Sequence, residues 1–401
     1  MTKNNQGTLL EQPKVSWNLV SYGLLLAISI VIFAPIIREL SAVGNDYIAH
    51  LMWAREMEET QKLMLPHPLY HLLVILAKNI FSLNYIDSST VVIVLSTFLL
   101  AVLNYRILLK HTSRAVAILF STCLLIVTPL QLFYFVDQHL YFGYVGINVY
   151  HSPTMLLLKP LSLIVFCYAL KSATSPSKNE LPSAIAFAAS LFLCGIAKPN
   201  FLMIVLPAFV VFLFLIGKLK PMLSHTYIYR AFFLPIFMLL SLQFFQTYFF
   251  QELSKGTSNE ESNITVLPFE TMAHYSGYLI PKFLLSIAFP LFVFMCYPKT
   301  FIKDKAVVFS SCCFLMGIIL MYFFAETGYR MYSGNFWWSG QIGLYLVFLF
   351  SVAFLFENHA KLTSNTTGKI KYAICILLFF MHTAAGIFYY RQELLFNSKF
   401  W

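Results

Sequence analysis

Residues 43–71 read VGNDYIAHLMWAREMEETQKLMLPHPLYH and hold Asp46, His50, Glu56, Glu58, Glu59, His67 and His71, with Arg55 and Lys62 among them. Carboxylates and imidazoles are the side chains that exchange protons near neutral pH. Asp46 and His50 stand four apart, which places them on one face of a helix starting near Asn45. Asn45 or Asp46 would cap that start. Ile48, Leu51, Met52 and Met57 supply the other side, and a helix of this kind lies along a membrane surface. Two readings stand side by side. Either the charges are solvated on an interfacial anchor, or Asp46 faces a cavity between the lipid surface and a helix bundle.

Further polar residues mark the ends of apolar runs. His151 precedes one, and Lys198 sits in the short link AKPN between two others. Lys198 either contacts an anion or snorkels to the surface. Lys159 lies about a turn inside an apolar run, where a charge faces a bundle interior or a cavity. The stretch ETGYRMYSGNFWWSGQ, 326–341, brings Arg330 and Asn335 to another boundary, with Glu326 as an alternative partner for Arg330. Trp337 and Trp338 read as an aromatic belt at the interface, and His382 as a satisfied core residue.

The elements that must position these groups follow from composition. Of 401 residues 59% are hydrophobic and only 11% charged, against about a quarter charged in a soluble domain. Repeated apolar runs of span length identify an all-α, polytopic integral membrane protein. Runs near 16–37, 88–109, 115–133, 154–170, 182–197, 200–217, 229–249, 277–297, 306–325, 337–356 and 371–390 predict about eleven crossings. The segment 67–81 is too short and is expected to lie in the interface. With that assignment every cytoplasmic loop holds at least two cations, as the positive-inside rule asks, and the N-terminus is cytoplasmic. The first apolar run reads as a retained signal anchor.

The net charge of +10 therefore reports topology and not nucleic-acid binding. Thirteen of seventeen acids and six of ten histidines then fall on the outer face. Acids do little to set orientation, so this sorting points to extracytoplasmic chemistry. The seven cysteines form no CxxC or His/Cys cluster. The chain reads as one domain, 1–401, with 38–87 as the first outer loop and its interfacial helices.

Three features carry a resemblance. Asp46 follows the first span and is succeeded by PHPLYHLLVILAKNIF from Pro66; Lys198 lies in the hairpin of LFLCGIAKPNFLMIVLPAFVVFLF; and NVYHSPTMLLLKPLSLIVF opens a span after an outer loop. Together they resemble the polyprenyl-phosphate-dependent glycosyltransferases of the C-type superfold (GT-C), over roughly the first half of the chain. That family transfers a sugar from a lipid-phosphate carrier to an acceptor hydroxyl on a glycan, lipid or protein. The resemblance implies Asp46 as general base. It puts Lys198 in the place of the family's hairpin lysine, and for the reaction it implies Lys198 and Arg330 are the candidate phosphate contacts and His50, His67, His71, His151, Lys159 and Asn335 the candidate substrate contacts. Many members carry paired acids in the first outer loop, whereas here Asp46 stands alone and His151 takes a later acidic position. A hard cation wants several oxygens, so a divalent metal, with Asp46 and Asp137 as its candidate ligands, lacks support from the sequence.

Two other functions fit a polytopic chain. A flippase or transporter would spread ionisable groups near the midplane. A Wzy-type polysaccharide polymerase would place arginines in large later outer loops. Modest length and the lack of a soluble C-terminal domain favour a bacterial envelope protein, expected in the inner membrane with its site facing the periplasm or cell exterior.

Overall fold

The computed structural model describes residues 15–43, 45–63, 65–174, 180–223, 225–249 and 263–396. The expected cytoplasmic residues Lys3, Glu11, Lys14 and Lys178 and the outer-loop residues Glu252, Lys255, Glu260 and Glu261 lie outside them. The principal helices are α1 (Val15–Val43), α2 (Asn45–Thr60), α3 (Leu69–Phe81), α4 (Tyr85–Leu108), α5 (Arg114–Leu124), α6 (Pro153–Thr174) and α7 (Glu180–Ala197). They continue as α8 (Asn200–Leu215), α9 (Leu234–Phe249), α10 (Leu279–Cys296), α11 (Lys305–Phe323), α12 (Trp337–Glu357) and α13 (Thr366–Phe396). The fold is an all-α membrane protein. One short antiparallel pair, β1 (Ile264–Val266) and β2 (Phe324–Glu326), adds the strand structure.

Eight described helices are long and apolar enough to cross a bilayer. Three of the eleven expected crossings are shorter: α5, the 182–197 part of α7, and α8. A helix of 16 residues such as α8 is about 24 Å long, short of the roughly 30 Å hydrocarbon thickness.

The run 115–133 departs most from expectation. Its helix stops at Leu124 and the chain continues as irregular, buried backbone to Leu130. Pro129 bars the helix from resuming across 128–129, since it lacks an N–H and drives the preceding residue out of the helical region. The freed backbone groups find partners elsewhere. Thr128 N donates to the His382 carbonyl (3.3 Å), Leu130 N to that of Leu285 (3.3 Å), and the carbonyls of Leu124 and Val127 accept from Asn148 Nδ2 at 3.0 and 2.8 Å. Irregular backbone in a membrane protein persists only where protein surrounds it in this way.

Helices α1 to α4 are tied together by polar contacts. Ser41, Ser89 and Tyr70 share a hydroxyl network at 2.9 and 2.7 Å. Glu58 accepts from Lys78 (3.0 Å), Asn79 (3.1 Å) and Tyr85, and Arg38 pairs with Asp87 at 3.0 Å. Tyr70, near the start of α3, and Lys78, near its end, both meet the first turns of α4. The 13-residue α3 therefore lies across the head of α4. Glu58, Asp87, Asp137 (paired with Lys282) and Glu326 (paired with Arg330) have structural partners. Ion pairing thus explains part of the acid sorting that the sequence credits to chemistry.

The expected two-sided pattern of α2 is corrected. His50 shares the inward face with Tyr47, Leu51, Ala54 and Met57, while Ile48 and Met52 are exposed. Burial follows contact with α1 and α3 at one edge and not the Asp46–His50 versus apolar division read from spacing.

At the other side of the bundle, α11 and α12 approach closely through glycines. A Cβ on Gly317 would stand 2.5 Å from the Ser339 carbonyl oxygen, and one on Gly343 2.6 Å from Phe314 Cα. Small residues permit this crossing, and it positions the start of α12, with Trp337 and Trp338.

Candidate functional site

Asp46 occupies the first turn of α2, where an acid is favoured by the helix dipole. It is set deep among protein atoms, yet 42% of its side chain remains exposed. It therefore forms the wall of a recess open to water. Burial raises its pKa above the ordinary carboxylate value, opposed by the Lys198 charge, by His151 and by the nearby Ser152 hydroxyl.

Lys198 reaches the same recess from the α7–α8 hairpin. Its backbone N–H closes α7 on the Cys194 carbonyl (3.1 Å), and Pro199 caps α8, so the turn is short and rigid. Its ammonium donates to Thr154 Oγ1 at 3.2 Å and lies 4.6 Å above the Trp338 ring. Burial lowers its pKa to about 8, with Asp46 acting the other way.

His151 packs between Tyr141 (5.0 Å) and Trp338 (5.7 Å). Burial holds its pKa down at about 3, Asp46 raising it and Lys198 lowering it further. His67 is likewise held at about 3 by burial, with Lys198, His71 and Arg330 adding to the effect. Burial, then Lys198 and His67, place His50 well below its ordinary value. His50 Nδ1 is 2.9 Å from His71 Nε2, and His50 Nε2 is 3.6 Å from Asp46 Oδ1. At neutral pH these imidazoles are uncharged hydrogen-bonding groups, and the recess carries Asp46 and Lys198 as its charges.

The fold brings together Asp46, His50, His67, His71, His151 and Lys198, with Arg330 acting on His67 from the edge. Arg330 Nη1 is 3.7 Å from Glu326 Oε1, and Asn335 Nδ2 donates to Glu326 Oε2. The Asn335 carbonyl accepts from Asn200 Nδ2 at 2.8 Å, tying this segment to the head of α8. Glu326, Arg330 and Asn335 line a shallow recess with Phe336 and Trp337.

Lys159 lies elsewhere. Fully buried in α6, it donates to the Ile147 carbonyl (2.6 Å) and to Asn148 Oδ1 (2.7 Å). Its contacts brace the loop that receives the interrupted end of α5. Asp137 is held by Lys282. Among the described residues no group of three or more histidines, cysteines and acids is placed to hold a metal ion.

Sequence reasoning passed over Glu393 and its tyrosines. Glu393 is 1% exposed in α13, accepts from Tyr389 OH at 2.5 Å, and lies 4.0 Å from His151 Nδ1. The last apolar run ends near Tyr390, which leaves Glu393 outside the predicted crossing. The i, i+4 pair Tyr389 and Glu393, on a helix continuing to Phe396, was the available signal. Gln341, which donates to Tyr141 OH at 2.9 Å, was also missed. Comparison with known proteins finds no family model that matches the chain and no curated protein that matches it.

Proposed function

We propose that this protein is a membrane glycosyltransferase that moves a sugar from a polyprenyl-phosphate carrier to an acceptor hydroxyl on a glycan, lipid or protein. The observation that carries the reading is the meeting of an open carboxylate, Asp46, with the Lys198 ammonium in one recess lined by Trp338 and neutral imidazoles.

The chemistry uses those groups directly. Asp46 takes the acceptor's proton as that oxygen attacks the anomeric carbon. The carbon–oxygen bond to the carrier phosphate breaks, and its electron pair leaves with the phosphate. Lys198, with Arg330 at the edge, meets that charge. The sugar passes through an oxocarbenium-like state, with Trp338 and Tyr141 as walls that limit water. Asp46 already has a cation beside it, and among the described residues no three acids, histidines or cysteines are grouped to hold a metal ion, so the donor set fits a divalent metal poorly. The recess opens, on this reading, at the extracytoplasmic face of a bacterial inner membrane with the N-terminus inside.

A transporter would use ionisable groups within spans. Lys159 and Lys282, the buried lysines there, are engaged by loop carbonyls, Asn148 and Asp137, which counts against that alternative. The test is purified protein supplied with radiolabelled polyprenyl-phosphate sugars, Asp46→Asn beside wild type. Donor binding without transfer by the variant is expected. Full turnover by Asp46→Asn removes Asp46 as the base.

A further inference from the structure

The buried histidine pair behind Asp46 has a hydrogen-bonding direction that can be worked out from its partners. His71 is wholly buried, and its Nδ1 makes no hydrogen bond of good geometry. Its Nε2 lies 2.9 Å from His50 Nδ1. A buried N–H without an acceptor is rarer and costlier than a buried lone pair without a donor. The Pro68 carbonyl lies near the ring but makes no hydrogen bond of good geometry with Nδ1, so the better-placed acceptor for the proton of neutral His71 is His50 Nδ1, reached from Nε2. His50 Nδ1 must then accept, so the proton of neutral His50 is on Nε2. That nitrogen faces Asp46 Oδ1 at 3.6 Å.

We propose that His71, His50 and Asp46 form a directional chain, His71 Nε2–H to His50 to Asp46 Oδ1, that orients the carboxylate and leaves its second oxygen to take the acceptor's proton. His50 and His71 are positioning residues here. The 3.6 Å gap exceeds a hydrogen bond, and such contacts tighten when substrate fills the site. The other groups facing Asp46 are Lys198 from the hairpin, His151 and Ser152 from the segment before α6, and the phenols of Tyr47, Tyr70 and Tyr141. His50 is the group that approaches Oδ1 from its own helix, at 3.6 Å.

This chain deepens the transferase reading, and its first test needs no turnover. Protein carrying ¹⁵N-labelled histidine, with His50 and His71 assigned through His50→Gln and His71→Gln, reports which ring nitrogen bears each proton. Both rings are expected in the Nε2–H form at pH 7. The reverse polarity would aim the His71 proton at the Pro68 carbonyl, which lies near that ring, and turn a His50 lone pair towards Asp46. Finding His50 as the Nδ1–H form overturns the proposal whether or not the protein transfers sugar.

The second test reads function. Removing a donor to a carboxylate raises its pKa, so His50→Leu should move the acidic limb of the rate–pH profile upward and lower kcat by about 10- to 100-fold, with donor KM within about threefold. His50→Gln, whose amide can donate in place of Nε2–H, should restore most of that loss. An unmoved acidic limb in His50→Leu, or equal losses in both variants, sinks the positioning role. If the tautomers are as stated and no glycosyl transfer is found, the transferase reading falls and the chain stands.

Discussion

Lys159 and Lys198 are both lysines enclosed by an apolar bundle, and they do opposite things. Lys159 is 1% exposed and donates to two oxygens, with the Tyr345 ring 5.5 Å from its ammonium. Its charge sits where carbonyls freed by the break after α5 are gathered through Asn148, and a cation is favourable near a helix C-terminus. Lys198 makes one hydroxyl contact at 3.2 Å, lies over an aromatic face, and shares its recess with an open carboxylate. Partner accounting, more than burial, separates a bracing cation from one held ready for an anion. The same contrast divides Asp137, closed onto Lys282, from Asp46.

The most severe test of this division is Asp46→Asn, expected to cut transfer by about 10²- to 10⁴-fold while donor binding persists, measured with labelled donor in purified protein. Next comes the lysine pair itself. Lys159→Met should destabilise the protein by about 3 kcal/mol, since hydrogen bonds to a charged group are worth about 1.5–3 kcal/mol each, visible as a lower unfolding midpoint in detergent. Lys198→Met should leave that midpoint nearly unchanged and weaken donor binding by about tenfold or more, in line with the loss of a charge-assisted contact. Reversal of the two outcomes would collapse the distinction.

A pH titration sharpens it further. The charged Lys198 binds phosphate and its pKa is lowered to about 8, so donor affinity should be full below that pH and fall as pH rises through it. Lys198→Arg should remove this alkaline limb, because guanidinium stays charged. The acidic limb belongs to Asp46, and its raised pKa places loss of transfer above the ordinary Asp range as pH falls. The smallest effect is expected from Arg330→Ala, about threefold on donor affinity, since this half-exposed residue is already paired with Glu326 and such pairs contribute little.

Much of the site was legible because its members stand at the ends of apolar runs. Asp46, His67, His151 and Lys198 are each forced to one surface once the spans are drawn, and charge in the intervening loops orients them together. Asn335 and Arg330 were legible as boundary residues, and Glu326 as a partner for Arg330, though not the bond from Asn335 to Glu326. Periodicity failed for α2, whose inward face is chosen by the α1 and α3 edges it meets. Glu393 was hidden because hydropathy ends the last span before the helix itself ends.

The amino-acid sequence alone determined that this chain is a bundle of apolar helices with its acids and histidines gathered at one end. Transfer of apolar surface and obligatory backbone pairing act locally, and composition records both. Tertiary structure decided that 115–133 is a broken helix, that Lys159 braces it, and that His71, His50 and Asp46 line up. Those outcomes depend on which distant atoms satisfy a buried polar group: Asn148 for the carbonyls of α5, His71 for His50. Spacing along the chain does not encode such partners.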